Sequence, residues 1–234
     1  MCGRYVSFSE PDQLAQFFEV GEVTTESLDA RYNVAPTQQV YAIIQRDGAR
    51  RLGMLKWGFI PFWTDDPKKS RNPINARIEG IHDKRMFSQA FERRRCIVPA
   101  DGFYEWKKTD EVTAKGKPKK APFYIHAPDG DPLAFAGIWS SWRPEGDEGA
   151  EPIYSVAIIT TEAKGPMAEV HDRMPVMLPR ELWDRWLDPD VTDAAAVEEL
   201  VKDLDTPDLE LYEISTRVNN VRNEGPDLIA REEG

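Results

Sequence analysis

The sequence has 234 residues, of which 41% are hydrophobic, 10% aromatic and 30% charged, and its 30 basic and 41 acidic side chains leave a net charge of −11. That length and apolar content allow one large domain or two small ones with a real core. Two cysteines, three histidines and no Cys-x-x-Cys argue against a disulfide scaffold and a zinc site; no apolar run approaches the ~20 residues of a membrane span, and the start carries no secretory apolar stretch.

Taken in order, the chain opens with Met1-Cys2-Gly3-Arg4-Tyr5. Ser9 is placed to cap a helix over 10–18, with Pro11 in its first turn and Leu14, Phe17 and Phe18 on one face. Residues 31–36 read as extended, since Pro36 keeps Ala35 out of the helical region. Val40–Gln45 and Arg51–Trp57 read as a hairpin about Asp47-Gly48. A loop over 58–73 leads to a helix within 75–95, where Met86, Phe87, Ala90 and Phe91 recur at helical spacing. Strands are predicted at 96–98 and 102–107, then a lysine-rich mobile hairpin loop over 107–120.

Further strands follow at 123–126, 133–139 and 154–160, with an acidic loop over 143–151 between the last two. A short strand at 175–178, a helix opened by Pro179, another helix over about 192–204, a last strand at 209–215 and a polar tail after Glu224 complete the chain. Short strands without regularly alternating helices disfavour a doubly wound parallel sheet. The expectation is one α+β domain over 1–234, built on curved, largely antiparallel sheets with a barrel-like core and peripheral helices.

Loss of Met1 would leave Cys2 with an amine and a thiol two bonds apart. This 1,2-aminothiol condenses with an aldehyde to a five-membered thiazolidine. Unperturbed, the amine titrates near ~8 and the thiol near ~8.5, so both are partly reactive at neutral pH. The alternative is a leftover beside a start codon. Three more polar residues lie in apolar runs. Glu105, between Tyr104 and Trp106, faces either a closed pocket suited to proton transfer or water. His171 is either a general acid or a loop histidine. Asn75 either orients reacting groups or caps a helix. The total charge argues against nucleic acid, yet residues 68–95 hold nine basic side chains against three acidic ones. Such a run is either a phosphate-binding face or a solvated one.

Six blocks stand in order: Met1-Cys2-Gly3-Arg4, Arg31 to Pro36, Trp57-Gly58, Ile74-Asn75-Ala76-Arg77-Ile78-Glu79, Ala100 to Trp106, and His171-Asp172-Arg173-Met174-Pro175. With Val218-Asn219-Asn220 and Gly225-Pro226 near the end, the chain resembles the SOS response-associated peptidase (SRAP) family from Cys2 to about Ile229. The resemblance implies a DNA damage response protein that captures abasic sites in single-stranded DNA as a covalent thiazolidine. It casts Cys2 as nucleophile after Met1 removal and Asn75 as the group that positions and polarises the reactants. Glu105 would serve in Met1 removal and proton transfer, and His171 would move a proton as the sugar opens. Arg4, Asn33, Arg77, Arg85, Thr160 and Arg173 would line the phosphate path, and Trp63 would stack on a base. No cofactor, metal or membrane is implied. A cytoplasmic monomer, nucleoid-associated when on DNA, is expected.

The chain departs from the resemblance at Thr64, where a second aromatic often stands, and in a longer, more basic 64–72 loop. The 107–120 and 143–151 stretches match nothing specific. Two other readings remain open. One is a peptidase or amidohydrolase using Cys2 as an N-terminal nucleophile in trans. The other is a non-covalent single-strand-binding module in which Cys2 is incidental.

Overall fold

The protein is described from a computed structural model over residues 2–147 and 149–232; the expected loss of Met1 lies outside the described residues. Its strands are β1 (Tyr5–Ser7), β2 (Glu22–Val23), β3 (Arg31–Val34), β4 (Gln39–Arg46), β5 (Ala49–Trp57), β6 (Asn75–Arg77), β7 (Arg95–Ala100), β8 (Gly102–Val112), β9 (Pro118–His126), β10 (Leu133–Trp142), β11 (Ile153–Glu162), β12 (Arg173–Pro175) and β13 (Glu210–Glu213). The helices are α1 (Pro11–Phe17), α2 (Ser88–Arg93), α3 (Trp183–Leu187) and α4 (Ala194–Val201). This is the expected α+β class.

The β4–β5 hairpin turns at Asp47 and Gly48, whose φ angles of 52° and 76° suit a two-residue turn matched to strand twist. β7 joins β4 through Ile43 and Ile97, β10 pairs with β7, and β11 pairs with β10. β11 then returns to β5 in parallel, Ser155 beside Lys56 and Val156 beside Trp57, which closes these strands into a ring. Side chains alternate across that ring. Ala42, Cys96, Val98, Phe135, Val156 and Ile158 share one cluster inside. Ile43, Ile97, Ile138, Ala157 and Ile159 join the other, outside, with Leu14, Phe91, Trp183, Trp186 and Val197 of the helices. Gly137 belongs to the inner set, where a Cβ would stand 2.9 Å from Cys96 Sγ.

A second sheet, ordered β13-β9-β8-β1-β3, packs against the barrel interior. Tyr5 on β1 sets its ring edge-on to Trp57 and Phe135, with centroids 5.4 and 6.4 Å away. Cys2, Val34, Phe103 and Ile125 join the same buried cluster. The N-terminus is thereby threaded between the two sheets. Gly102 lets β8 start beneath Tyr124, whose ring would stand 2.4 Å from any Cβ there.

Several expectations are corrected. Glu10, not Ser9, caps α1, with Gln13 Oε1 accepting its N–H at 2.9 Å; Ser9 instead bonds Asp101. Asn75 begins a strand rather than a helix: β6 runs parallel to β11, Asn75 beside Ile158 and Arg77 beside Thr160. The helix expected within 75–95 is present as α2, Ser88–Arg93. The hairpin expected over 107–120 is present, but most of it is strand rather than loop, since β8 continues to Val112 and β9 starts at Pro118. The strand expected at 175–178 lies earlier, at Arg173–Pro175. Pro179 leads first into a 3₁₀ turn, Arg180–Leu182, and α3 follows. The polar tail is also tied in: Leu228 is buried and Tyr212 Oη donates to Ile229 O at 2.8 Å.

Candidate active site

Cys2 is fully buried, just before β1. Its thiol points at the Arg4 carbonyl, 3.8 Å away, and its own carbonyl accepts a 2.8 Å bond from Asn75 Nδ2. Burial pushes the Cys2 thiol well above its ordinary value, and the nearby Glu105 carboxylate adds to that. The thiol is therefore neutral at pH 7 and needs a base to attack. Asn75 Oδ1 is buried with no hydrogen-bond partner among the described residues, so the amide keeps one acceptor in reserve.

Glu105 lies on β8 opposite Phe123 and is 2% exposed. Strand alternation turns it to the closed side, which decides between the two readings of its position. Its Oε2 is 3.9 Å from His171 Nε2. His171 Nδ1 meets two groups with opposite demands. The Arg173 N–H lies 3.0 Å away and needs an acceptor; Asp172 Oδ1 lies 2.7 Å away and needs a donor. With Nδ1 bare, the ring carries its proton on Nε2, toward Glu105. With Nδ1 protonated, Asp172 accepts from it. A thiol, an amide, a carboxyl group and an imidazole thus form a connected set that can bind, move and receive protons.

His171 also lines a cleft of about 610 Å³, with Arg77, Trp106, Lys107, Lys120 and Arg173 among its walls. Arg77 is exposed, two residues along β6 from Asn75 and so on the same strand face. Arg173 is already engaged, its guanidinium forking onto Glu79 at 2.7 and 2.8 Å and reaching Thr160 O at 2.6 Å. Burial works against the Glu79 charge, but the bonds from Arg173 hold its carboxyl below the ordinary value. Arg4 donates to Asn33 Oδ1 at 2.7 Å and to Val218 O at 2.9 Å, its guanidinium 5.9 Å from the Trp106 ring centre. Burial lowers its pKa.

Asn33 and Thr160 are fully buried and stand behind the surface. Each supports an arginine, Arg4 for Asn33 and Arg173 for Thr160, rather than presenting a polar atom to solvent. Trp63 and Arg85 sit apart from Cys2's hydrogen-bond set as a surface pair, the guanidinium 5.2 Å from the ring centre. Phe62 beside them is 50% exposed and Trp63 44%. Sequence reading passed over Phe62, although Pro61-Phe62-Trp63 in a polar loop was the signal. It supplies an adjacent aromatic at 62 where Thr64 lacks one. Among the described residues no group of three or more His, Cys, Asp or Glu is placed to hold a metal ion, and no helix is long and apolar enough to cross a membrane.

The family model for SOS response associated peptidase (SRAP) matches residues 1–221. The chain belongs to the SRAP family. Among its relatives, abasic site processing protein YoqW of Bacillus subtilis is 40% identical over 231 residues, covering 98% of this chain and 99% of that protein. Abasic site processing protein YedK of Escherichia coli is 34% identical, covering 98% and 99%. A crystal structure of a protein from Bacteroides thetaiotaomicron superposes with a TM-score of 0.84 at 25% identity, covering 99% of this chain and all of that one. In this SRAP chain the outer part of the β8–β9 ribbon, over 107–120, and the 143–151 stretch are parts for which the sequence resemblance offered no counterpart.

Proposed function

We propose that this protein captures abasic sites in single-stranded DNA by forming a thiazolidine at Cys2, once Met1 has been hydrolysed away. The observation that carries the reading is the convergence of Cys2, Asn75, Glu105 and His171 beside a cleft lined by basic side chains. The names of the relatives support the class of lesion.

The ring-opened abasic sugar presents an aldehyde. The freed Cys2 amine adds to its carbon and one water leaves, giving an imine. The thiol sulfur then adds to the imine carbon, and the thiol proton ends on the ring nitrogen. Asn75 fixes Cys2 through its carbonyl, which keeps both nucleophiles near the aldehyde and makes closure effectively unimolecular, worth up to about 7–11 kcal/mol in favourable cases. The buried thiol does not ionise unaided, so Glu105 takes its proton and passes protons with His171. Basic side chains hold flanking phosphates without reading sequence. A single strand costs little to splay around the lesion.

The test is incubation with single-stranded DNA carrying one abasic site, followed by denaturing electrophoresis and the mass of the N-terminal peptide. The expected result is a heat-stable adduct on a peptide that starts at Cys2. Cys2→Ser leaves only a labile imine; an equally durable adduct in that variant would overturn the thiol step.

A further inference from the structure

The β8–β9 ribbon places Lys108 directly opposite Lys120. Side chains so paired have Cβ atoms about 4.5–5.5 Å apart, and like charges there are destabilising. Neither ammonium group has a carboxylate partner among the described residues. The neighbouring Lys119 behaves differently: it points to the other side of the strand and pairs with Glu111 at 2.7 Å. A chain with 41 acidic residues therefore gives Lys119 a carboxylate and leaves the two facing lysines, Lys108 and Lys120, without one.

Both of these lysines border the cleft. Lys107, Lys108 and Lys120 line it together with Arg77, which also has no carboxylate partner among the described residues, while Glu169 and Asp172 are its acidic members. Lys107 lies over the Phe123 ring at 5.9 Å. From the like-charge pair and its placement we infer that the ribbon is a binding arm for the DNA backbone: Lys108 and Lys120 straddle phosphate of the strand that carries the lesion. The arm extends the path past His171 and relieves its own repulsion when a phosphate sits between the two ammonium groups.

The inference rests on the single-stranded DNA reading above, and the experiment separates the two. Affinity for an undamaged single-stranded oligonucleotide is measured against salt concentration for the full-length chain and for Lys108→Gln combined with Lys120→Gln. The double variant shows a log–log slope shallower by about 0.7 for each phosphate released. Lys119→Gln, on the other face, keeps the parent slope. The thermal midpoint of the double variant is unchanged or raised, because a repulsion has been removed.

An unchanged slope in the double variant overturns the inference, and so does an equal loss of slope in Lys119→Gln. A parent chain that binds strands but forms no adduct overturns the covalent reading while the slopes still decide this one. A parent chain that binds no strand overturns both.

Discussion

Asn33 satisfies three carbonyls with one amide: Nδ2 donates to Val218 O, Asn220 O and Asn223 O at 3.3, 3.1 and 3.0 Å, while Oδ1 accepts from Arg4. It is the knot that holds the closing segment against β3 and keeps Arg4 aimed. Asn33→Ala leaves those carbonyls short of a donor and is expected to cost about 2–3 kcal/mol, the price of unmet buried polar groups. Urea unfolding measures the loss; a variant as stable as the parent would refute this role. The contrast with Cys2, Asn75, Glu105 and His171 is instructive. Cys2 was legible from its place after Met1, and the other three because each interrupts an apolar run, where a lone polar residue has to have a partner when buried. Asn33 and Thr160 sit in equally apolar runs, yet sequence gives no sign of which side of the backbone meets solvent, so support and contact look alike.

At the scale of elements, α2 and α3 have six and five residues, too short to hold themselves in water. Arg95 at the start of β7 supplies what they lack. Its guanidinium donates to Phe91 O and Glu92 O of α2 at 2.9 and 2.6 Å, to Trp186 O of α3 at 2.6 Å, and to Asp188 O and Val191 O beyond it at 2.5 and 3.0 Å. Those are the orphan carbonyls of helix ends. Burial lowers the Arg95 pKa to about 10, and the cation persists at neutral pH. Arg95→Met keeps the apolar stem and removes every donor. It is expected to lose about 3 kcal/mol or more, read as a lower urea midpoint with an unchanged denaturant slope. Arg95→Lys should fall between, because a single ammonium cannot fork to five oxygens. The sequence showed Arg95 only as the last of a basic run. Likewise the polar, lysine-rich ribbon was read as a loop: its strands are set by pairing across the turn rather than by apolar alternation.

Across the whole molecule, barrel closure depends on β5 meeting β11 about a hundred residues later, in parallel, with β6 continuing along the same edge. The hairpins were legible because Asp47-Gly48 and the alternating strands are local signals. The closing contact was not, since no short-range pattern names a distant parallel partner. Closure has a measurable consequence. It seals Cys96 inside the ring, and the second sheet seals Cys2 and Tyr5 against it, each with no exposed surface. Burial raises all three acids, with Glu105 adding to the effect on Cys2. For an acid whose folded pKa is raised, the folded state binds more protons once the unfolded group begins to titrate, so stability falls as pH rises. It is intact below the unfolded thiol value of ~8.5, and each thiol then removes about 1.4 kcal/mol per pH unit. Two thiols give a loss of about 3 kcal/mol one unit above that value. Tyr5 adds its share above ~10. Arg95 has the opposite sign, because its lowered pKa makes the unfolded chain the better proton binder, but it acts only between about 10 and its unfolded value. Urea midpoints measured at pH 7.5, 8.5 and 9.5 should therefore be flat and then drop. In Cys96→Ala the starting stability is lower and the drop about half as steep, one thiol fewer. A parent protein equally stable at pH 7.5 and 9.5 would mean that these groups reach water, and that the ring is not closed around them.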